Sequence, residues 1–271
     1  MSMRITEVPA RQGLAWVSRA FSMFLKHPLG FSLLFLVFLV AAMVLLMLPY
    51  VGAVLLLAAL PLLTLGFMSA TRAVLAGQPV HAGQLVEPFV GGADRGRRGV
   101  LLRLCLLYAA STALVMLLAD AADAGTFERL QVVLAGTRDD AANAEIDALL
   151  SDPRLRSGLA IRFGLSALLS IPFWHAPPLV AWHGQGVAQS LFSSTLAVWR
   201  NKAAFTLYFA AWTGTVVLFG LVSGLLFSLI GAPQLLAVAA LPAGLMFSTA
   251  FYVSLYFTFA DSFTAPASAS Q

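Results

Sequence analysis

The chain has 271 residues, of which 60% are hydrophobic and 10% charged. A soluble domain carries about 25% charged residues, so this chain would leave large apolar areas facing water, and a bilayer is the solvent that removes the difficulty. The formal net charge of +4 is small and its bases are dispersed, which excludes a nucleic-acid surface of clustered bases interleaved with aromatics. The single cysteine, Cys105, excludes an intrachain disulfide and a thiolate metal cluster.

The first thirteen residues are polar, and no small-residue cleavage site follows the first long apolar run, so that run reads as a retained helix and not a removed signal. Within residues 14–27, Leu14, Val17, Phe21, Phe24 and Leu25 fall on one helical face, with Arg19, Ser22 and Lys26 away from it. This pattern predicts an interfacial amphipathic helix whose bases meet an anionic inner leaflet. Pro28 ends it and turns the chain into the bilayer.

Two apolar runs follow, 29–51 without a charge and 53–75 with Arg72 alone, joined at a Pro49-Tyr50-Val51-Gly52 turn. Each is long enough to cross a hydrocarbon core of about 30 Å. A second amphipathic stretch, 82–90, ends in Arg95, Arg97 and Arg98 before the third run, 99–119, which has Arg103 near its start. The segment 120–157 is the one sizeable polar piece. Its helical spacing of Phe127, Leu130, Val133 and Leu134 predicts one or two short helices, read either as a lid over the bundle or as a partner-binding surface. The fourth run, 158–182, holds Arg162, His175, Pro172, Pro177 and Pro178. A third amphipathic stretch, 187–199, precedes Arg200 and Lys202, then runs 203–230 and 235–260 complete the chain.

The expected fold is therefore an all-α polytopic membrane bundle of six transmembrane helices arranged as three hairpins, each preceded by an interfacial amphipathic helix. The unit repeats three times in the same orientation, as parallel repeats do in some transporters. A five-helix version, with the fourth helix broken or re-entrant at Pro172–Pro178, is the alternative. Eleven of the 16 bases fall on the side of the N-terminus and five on the other. Basic residues remain cytoplasmic, so both termini are expected in the cytoplasm of a bacterial inner membrane.

No phosphate-binding glycine loop, Gly-x-Ser-x-Gly elbow, His-Glu-x-x-His or Cys-x-x-Cys occurs, so no catalytic, cofactor-binding or metal residues are expected and the chain is read as a non-enzyme. Five polar residues are worth locating. Arg162 and Asp120 are placed at comparable depth, where they either form an ion pair or Arg162 snorkels to the outer headgroups. Arg103 reads as snorkelling inward. His175 either donates to a carbonyl freed by Pro177 and Pro178 or lines a polar pathway. His183 is eight residues on, about 12 Å along the axis, a separation unsuited to one metal. Arg19, Lys26, Arg95, Arg97, Arg98, Arg200 and Lys202 are expected headgroup contacts. Gly66, Ser69, Ala70, Gly220 and Gly224 mark candidate packing faces.

The opening Pro9-Ala-Arg-Gln-Gly-Leu-Ala-Trp16, the elbow Phe24-Leu-Lys-His-Pro28, the stretch Ala176-Pro-Pro-Leu-Val-Ala-Trp-His-Gly184 and Ala197-Val-Trp-Arg-Asn201 resemble an uncharacterised family of six-helix bacterial inner-membrane proteins. The chain is similar, more loosely, to the membrane domain attached to some glycerophosphodiester phosphodiesterases, without their catalytic domain. The resemblance implies a membrane bundle and brings no catalytic residue with it. Two functions are open: a scaffold or accessory protein for membrane lipids or another membrane protein, or a permease for a lipidic or small amphipathic substrate.

Overall fold

A computed structural model describes residues 4–49, 51–87, 95–136, 140–232 and 234–264, the side chains of 95 and 141 excepted. The helices are α1 (Gln12–Lys26), α2 (Pro28–Leu46), α3 (Gly52–Leu75), α4 (Arg95–Asp123), α5 (Thr126–Ala135), α6 (Asp140–Ser151), α7 (Pro153–Phe173), α8 (Ala176–His183), α9 (Val187–Arg200), α10 (Lys202–Leu229) and α11 (Leu235–Ser262). A short antiparallel pair joins β1 (Arg4–Ile5) to β2 (Phe263–Thr264), with Ile5 opposite Phe263.

Among the described residues, six stretches are long and apolar enough to cross a membrane: α2, α3, α4, α7 continued by α8, α10 and α11. Their surfaces invert the pattern of a soluble protein. Leu33 and Met43 on α2, Leu106 and Leu117 on α4, Leu218 and Leu225 on α10 and Leu241 on α11 are all exposed. Surfaces of this kind suit acyl chains as their solvent.

Local sequence sets the breaks. Pro28 occupies the first turn of α2, where a missing N–H costs nothing. Pro153 does the same in α7 behind Asp152, whose carboxylate accepts from the Arg154 N–H as an N-cap. Gly184 and Gly231, with φ of 66° and 70°, end α8 and α10 in the left-handed region that glycine adopts without a Cβ penalty.

The structure moves several expected boundaries. Helix α4 runs on to Asp123 and α7 begins at Pro153, so the polar segment shrinks and is itself largely helical, as α5 and α6. The fourth span is two helices, broken at Trp174–His175. In the second unit, where an amphipathic helix over 82–90 was expected, Ala82–Leu85 form a 3-10 turn and helical backbone begins only at Glu87. Gly83 and the extended backbone at His81 disfavour an α-helix there, and residues 88–90 lie outside the described segments. The arrangement is not three equivalent hairpins either. Helix α4 packs mainly on α7 and α3, whereas α10 and α11 each pack more extensively on α1 than on each other.

Helix α1 explains that asymmetry. Its buried face is Gly13, Trp16, Val17, Ala20 and Phe24, which lies across α10 and α11. Gly13 is required: a Cβ there would stand 2.1 Å from the Ala204 carbonyl oxygen and 2.7 Å from the Tyr208 nitrogen, both backbone atoms. Trp16 is fully buried against Phe205 and Tyr208, and Phe21 stacks beside Trp212 and Phe247. Most of the apolar face expected to float in the headgroup layer is thus spent on protein contacts, leaving Leu14 and Leu25 exposed. Helix α3 is the central element toward the side of the chain termini, with Leu65, Gly66, Phe67, Met68, Ser69 and Ala70 all buried. Gly66 earns its place, since a Cβ would meet Leu85 Cδ2 at 2.8 Å. Gly220 and Gly224 do not form a packing face, because nothing lies within 4 Å of a Cβ at either.

Candidate functional site

Three polar clusters lie within or at the ends of the bundle, and each joins elements far apart in sequence. The first sits where α4 and α7 meet the loop helices. Arg162 Nη2 donates to Asp120 Oδ1 at 2.8 Å and to Asp123 Oδ2 at 3.0 Å. Its Nη1 approaches Met116 Sδ at 3.4 Å, and its guanidinium carbon lies 4.1 Å above the ring of Phe127, from α5. The side chain is 12% exposed, that of Asp120 59% and that of Asp123 1%. Arg162 is therefore turned inward onto two carboxylates and not outward to headgroups, with Asp123 the buried partner.

Asp123 is further held by the Gly125 N–H, which donates to Oδ1 at 2.9 Å. Gly158 brings the two helices close enough: a Cβ there would come within 2.5 Å of Asp123 Cβ. A guanidinium about 13 Å along a spanning helix is costly unless paired, and this pairing, capped by an aromatic face, is the compensation.

The second cluster fills the break between α7 and α8. Pro177 and Pro178 open α8 and supply no N–H to the turn before it. Ser194 of α9 bridges the gap by donating to the Ile171 carbonyl at 2.9 Å and accepting from the His175 N–H at 3.0 Å. The ring of His175 does not cap a freed carbonyl of Phe173 or Trp174. Its Nε2 instead meets Thr258 Oγ1 at 3.2 Å, on α11. Thr258 spends its one proton on the Leu255 carbonyl at 2.8 Å, so it accepts from both His175 Nε2 and Trp174 Nε1. His175 is fully buried, walled by Phe205, Phe259 and Phe263 at centroid distances of 6.0, 5.9 and 5.3 Å, and its Nδ1 has no partner among the described residues.

The third cluster ties the two ends of the chain together. Asp261 Oδ2, in the last turn of α11, accepts from Gln12 Nε2 at 2.6 Å, Trp16 Nε1 at 2.8 Å and Arg19 Nη1 at 2.9 Å. Asn201, almost fully buried, accepts from the Val8 N–H at 2.8 Å and donates to the Thr6 carbonyl at 3.0 Å.

The remaining expected residues are dispersed. Arg103 and His183 are exposed, and His183 packs against Phe259, away from the Thr258 side of His175. Among the described residues, no three His, Cys, Asp or Glu side chains gather at metal-binding distance. Of the expected headgroup bases, Lys26, Arg200 and Lys202 are exposed, the last 5.2 Å from the Trp199 ring. Arg19 is engaged by Asp261, while Arg97 donates to the Ala181 carbonyl at 3.2 Å. That carbonyl is in the last turn of α8, where a cation meets the negative end of the helix dipole. The Nε of Arg98 is buried without a hydrogen-bond partner. The side chain of Arg95 lies outside the described residues.

Three concavities among the described residues face the spanning region. A cavity of about 250 Å³ lies among Pro61, Tyr108, Phe173, Trp174 and Tyr252. A trough of about 460 Å³ runs between α10 and α11 along Trp212, Val216 and Phe247. A groove of about 540 Å³ separates α7 from α10. All three linings are predominantly apolar.

The fold and these clusters define the class: a multi-pass all-α membrane protein whose interior polar groups tie helices to one another. Comparison with known proteins makes it more specific. The chain is 34% identical over 264 residues to a probable inner membrane protein of Burkholderia thailandensis, covering 96% of this chain and 94% of that one. It belongs to that inner-membrane family. No family model and no solved structure matches it.

Proposed function

We propose that the chain is a non-enzymatic scaffold or accessory protein that organises lipid, or another membrane protein, in the bacterial inner membrane, with both termini in the cytoplasm. The observation that carries this reading is how the interior polar groups are used. Ser194 faces backbone and not the His175 ring, His175 is sealed behind three phenylalanines, and Arg162 is absorbed by Asp123 and Asp120. Chemistry or solute passage needs reachable polar groups, and these are consumed in holding helices together. The pairing of β1 with β2 places both ends of the bundle on one side, and the excess of Lys and Arg on that side supports the cytoplasmic assignment.

The test is purification of the full chain in mild detergent, followed by native mass spectrometry and identification of co-purifying proteins. A reproducible lipid or partner is expected; recovery of neither refutes the reading. A permease is the second reading, favoured by the broken fourth span beside a cavity. It requires solute uptake into proteoliposomes that is lost on substitution of His175.

A further inference from the structure

Apolar troughs open on the spanning surface both between α10 and α11, along Trp212, Val216 and Phe247, and between α7 and α10. Of these two, the groove between α7 and α10 is the one with a charged lining residue, Lys202. Helix α9 packs on both α7 and α10 at the end of this groove near the chain termini. One wall is Gly164, Leu168 and Ile171; the other is Phe205 and Phe209, with Trp174 between them. From Gly164 to Trp174 the wall is about 15 Å long at the helical rise, and the volume of about 540 Å³ falls within the roughly 300–1,000 Å³ of small-molecule sites. Gly164 keeps the trough open, since nothing lies within 4 Å of a Cβ built on it.

The hydroxyls along the trough are already committed, that of Ser170 to the Ala167 carbonyl and that of Thr206 to the Lys202 carbonyl. Polar character is concentrated at one end. Lys202 is the one charged group among the lining residues, and it sits with Trp199 at the α9–α10 elbow, on the side of the chain termini. Trp199 is 68% exposed, an aromatic at headgroup depth. Among the described residues no acid pairs with Lys202. A greasy channel leading to an unpaired ammonium beside an indole matches a molecule with a chain at one end and an anion at the other.

We propose that this groove holds one acyl chain of an anionic phospholipid, drawn from the leaflet on the side of the termini, with its phosphate at Lys202. The proposal rests on the lipid-organising reading and assigns it a place. The experiment uses the full chain in phosphatidylcholine nanodiscs containing a small fraction of phosphatidylglycerol with brominated chains, which quench nearby indoles. Trp174→Phe subtracts the signal of the other tryptophans.

Saturable quenching of Trp174 is expected. Gly164→Leu, whose Cβ stands in open space, puts an isobutyl group into the trough and removes at least half of that quenching. Lys202→Ala raises the phosphatidylglycerol fraction needed by about fivefold, the worth of one cation near an anionic surface. Brominated phosphatidylcholine quenches the wild type no better than phosphatidylglycerol quenches Lys202→Ala. Protection of Cys105 from alkylation reports that each variant is folded. Quenching unchanged by Gly164→Leu, or equal for the two headgroups, overturns the assignment. If native mass spectrometry still finds lipid on the wild type in that case, the site is wrong and the organising role stands. If it finds neither lipid nor partner, both fall.

Discussion

Neutralising Asp123 should destabilise the bundle far more than neutralising Asp120, although both carboxylates touch the same nitrogen of Arg162. The two differ in solvent: Asp123 is 1% exposed and Asp120 59%. Removing one partner of a buried pair costs about 3–5 kcal/mol because the other charge is left stranded. Asp120 remains in place to share the load, so Asp123→Asn is expected at the lower end, about 3 kcal/mol, or roughly a hundredfold in the folded-to-unfolded ratio. Asp120→Asn leaves the buried pair intact and removes a half-solvated one, worth about 0–1 kcal/mol.

The chain carries its own reporter for this measurement. Cys105 is the single cysteine and is 2% exposed in a cluster with Leu101 and Leu104 on α4, the helix that α7 packs against. Its alkylation during denaturing-detergent titration therefore reads opening of this interface. An apolar double replacement, Arg162→Met with Asp123→Leu, removes both charges and should be more stable than Asp123→Asn alone. Equal costs for the two single asparagines, or a double variant worse than Asp123→Asn, would refute the view that desolvation governs this pair.

Other substitutions probe the remaining joints. Gly13→Ala drives a Cβ into the backbone of α10, so α1 should lift and trypsin should cut after Arg11 and Arg19 much faster; Gly220→Ala, facing open space, should leave digestion and stability unchanged within about 0.5 kcal/mol. Asp261→Ala strips the shared acceptor from Gln12, Trp16 and Arg19. A loss of about 2–3 kcal/mol is expected, together with a red shift in Trp16 emission as α1 loosens, and an unchanged spectrum would count against the clasp. Ser194→Ala leaves the Ile171 carbonyl and the His175 N–H without their bridge; about 1–3 kcal/mol should be lost in the same Cys105 assay, with Ser194→Thr retaining more than alanine.

The spanning helices were legible because their signal is additive: some twenty apolar residues prefer hydrocarbon whatever their neighbours do. Arg162 and Asp120 could be matched by depth for the same reason, since topology alone sets depth. Asp123 was not matched, because its importance comes from the four extra residues of α4 beyond the expected end at 119 and from Gly158 opposite. No periodicity announces either. Asp261, Asn201, Ser194 and Thr258 were missed in the same way. Each is a single polar residue whose partner on another element lies 19 to 249 positions away. A sequence pattern reports which face of a helix is apolar and is silent on what will cover it, which is why α1 read as a membrane-surface helix while the structure seats it on α10 and α11.

That seating has a consequence for how the molecule is made. Residues 12, 16 and 19 find their acceptor at residue 261, and strand β1 finds its mate after it, so α1 can rest on α10 first but its polar clasp closes only once α11 is in place. Until α10 and α11 are both in place the apolar flank of α1 is left to the lipid boundary. Without Asp261 the six apolar stretches would still be there, but α1 would be held to the bundle by its apolar face alone.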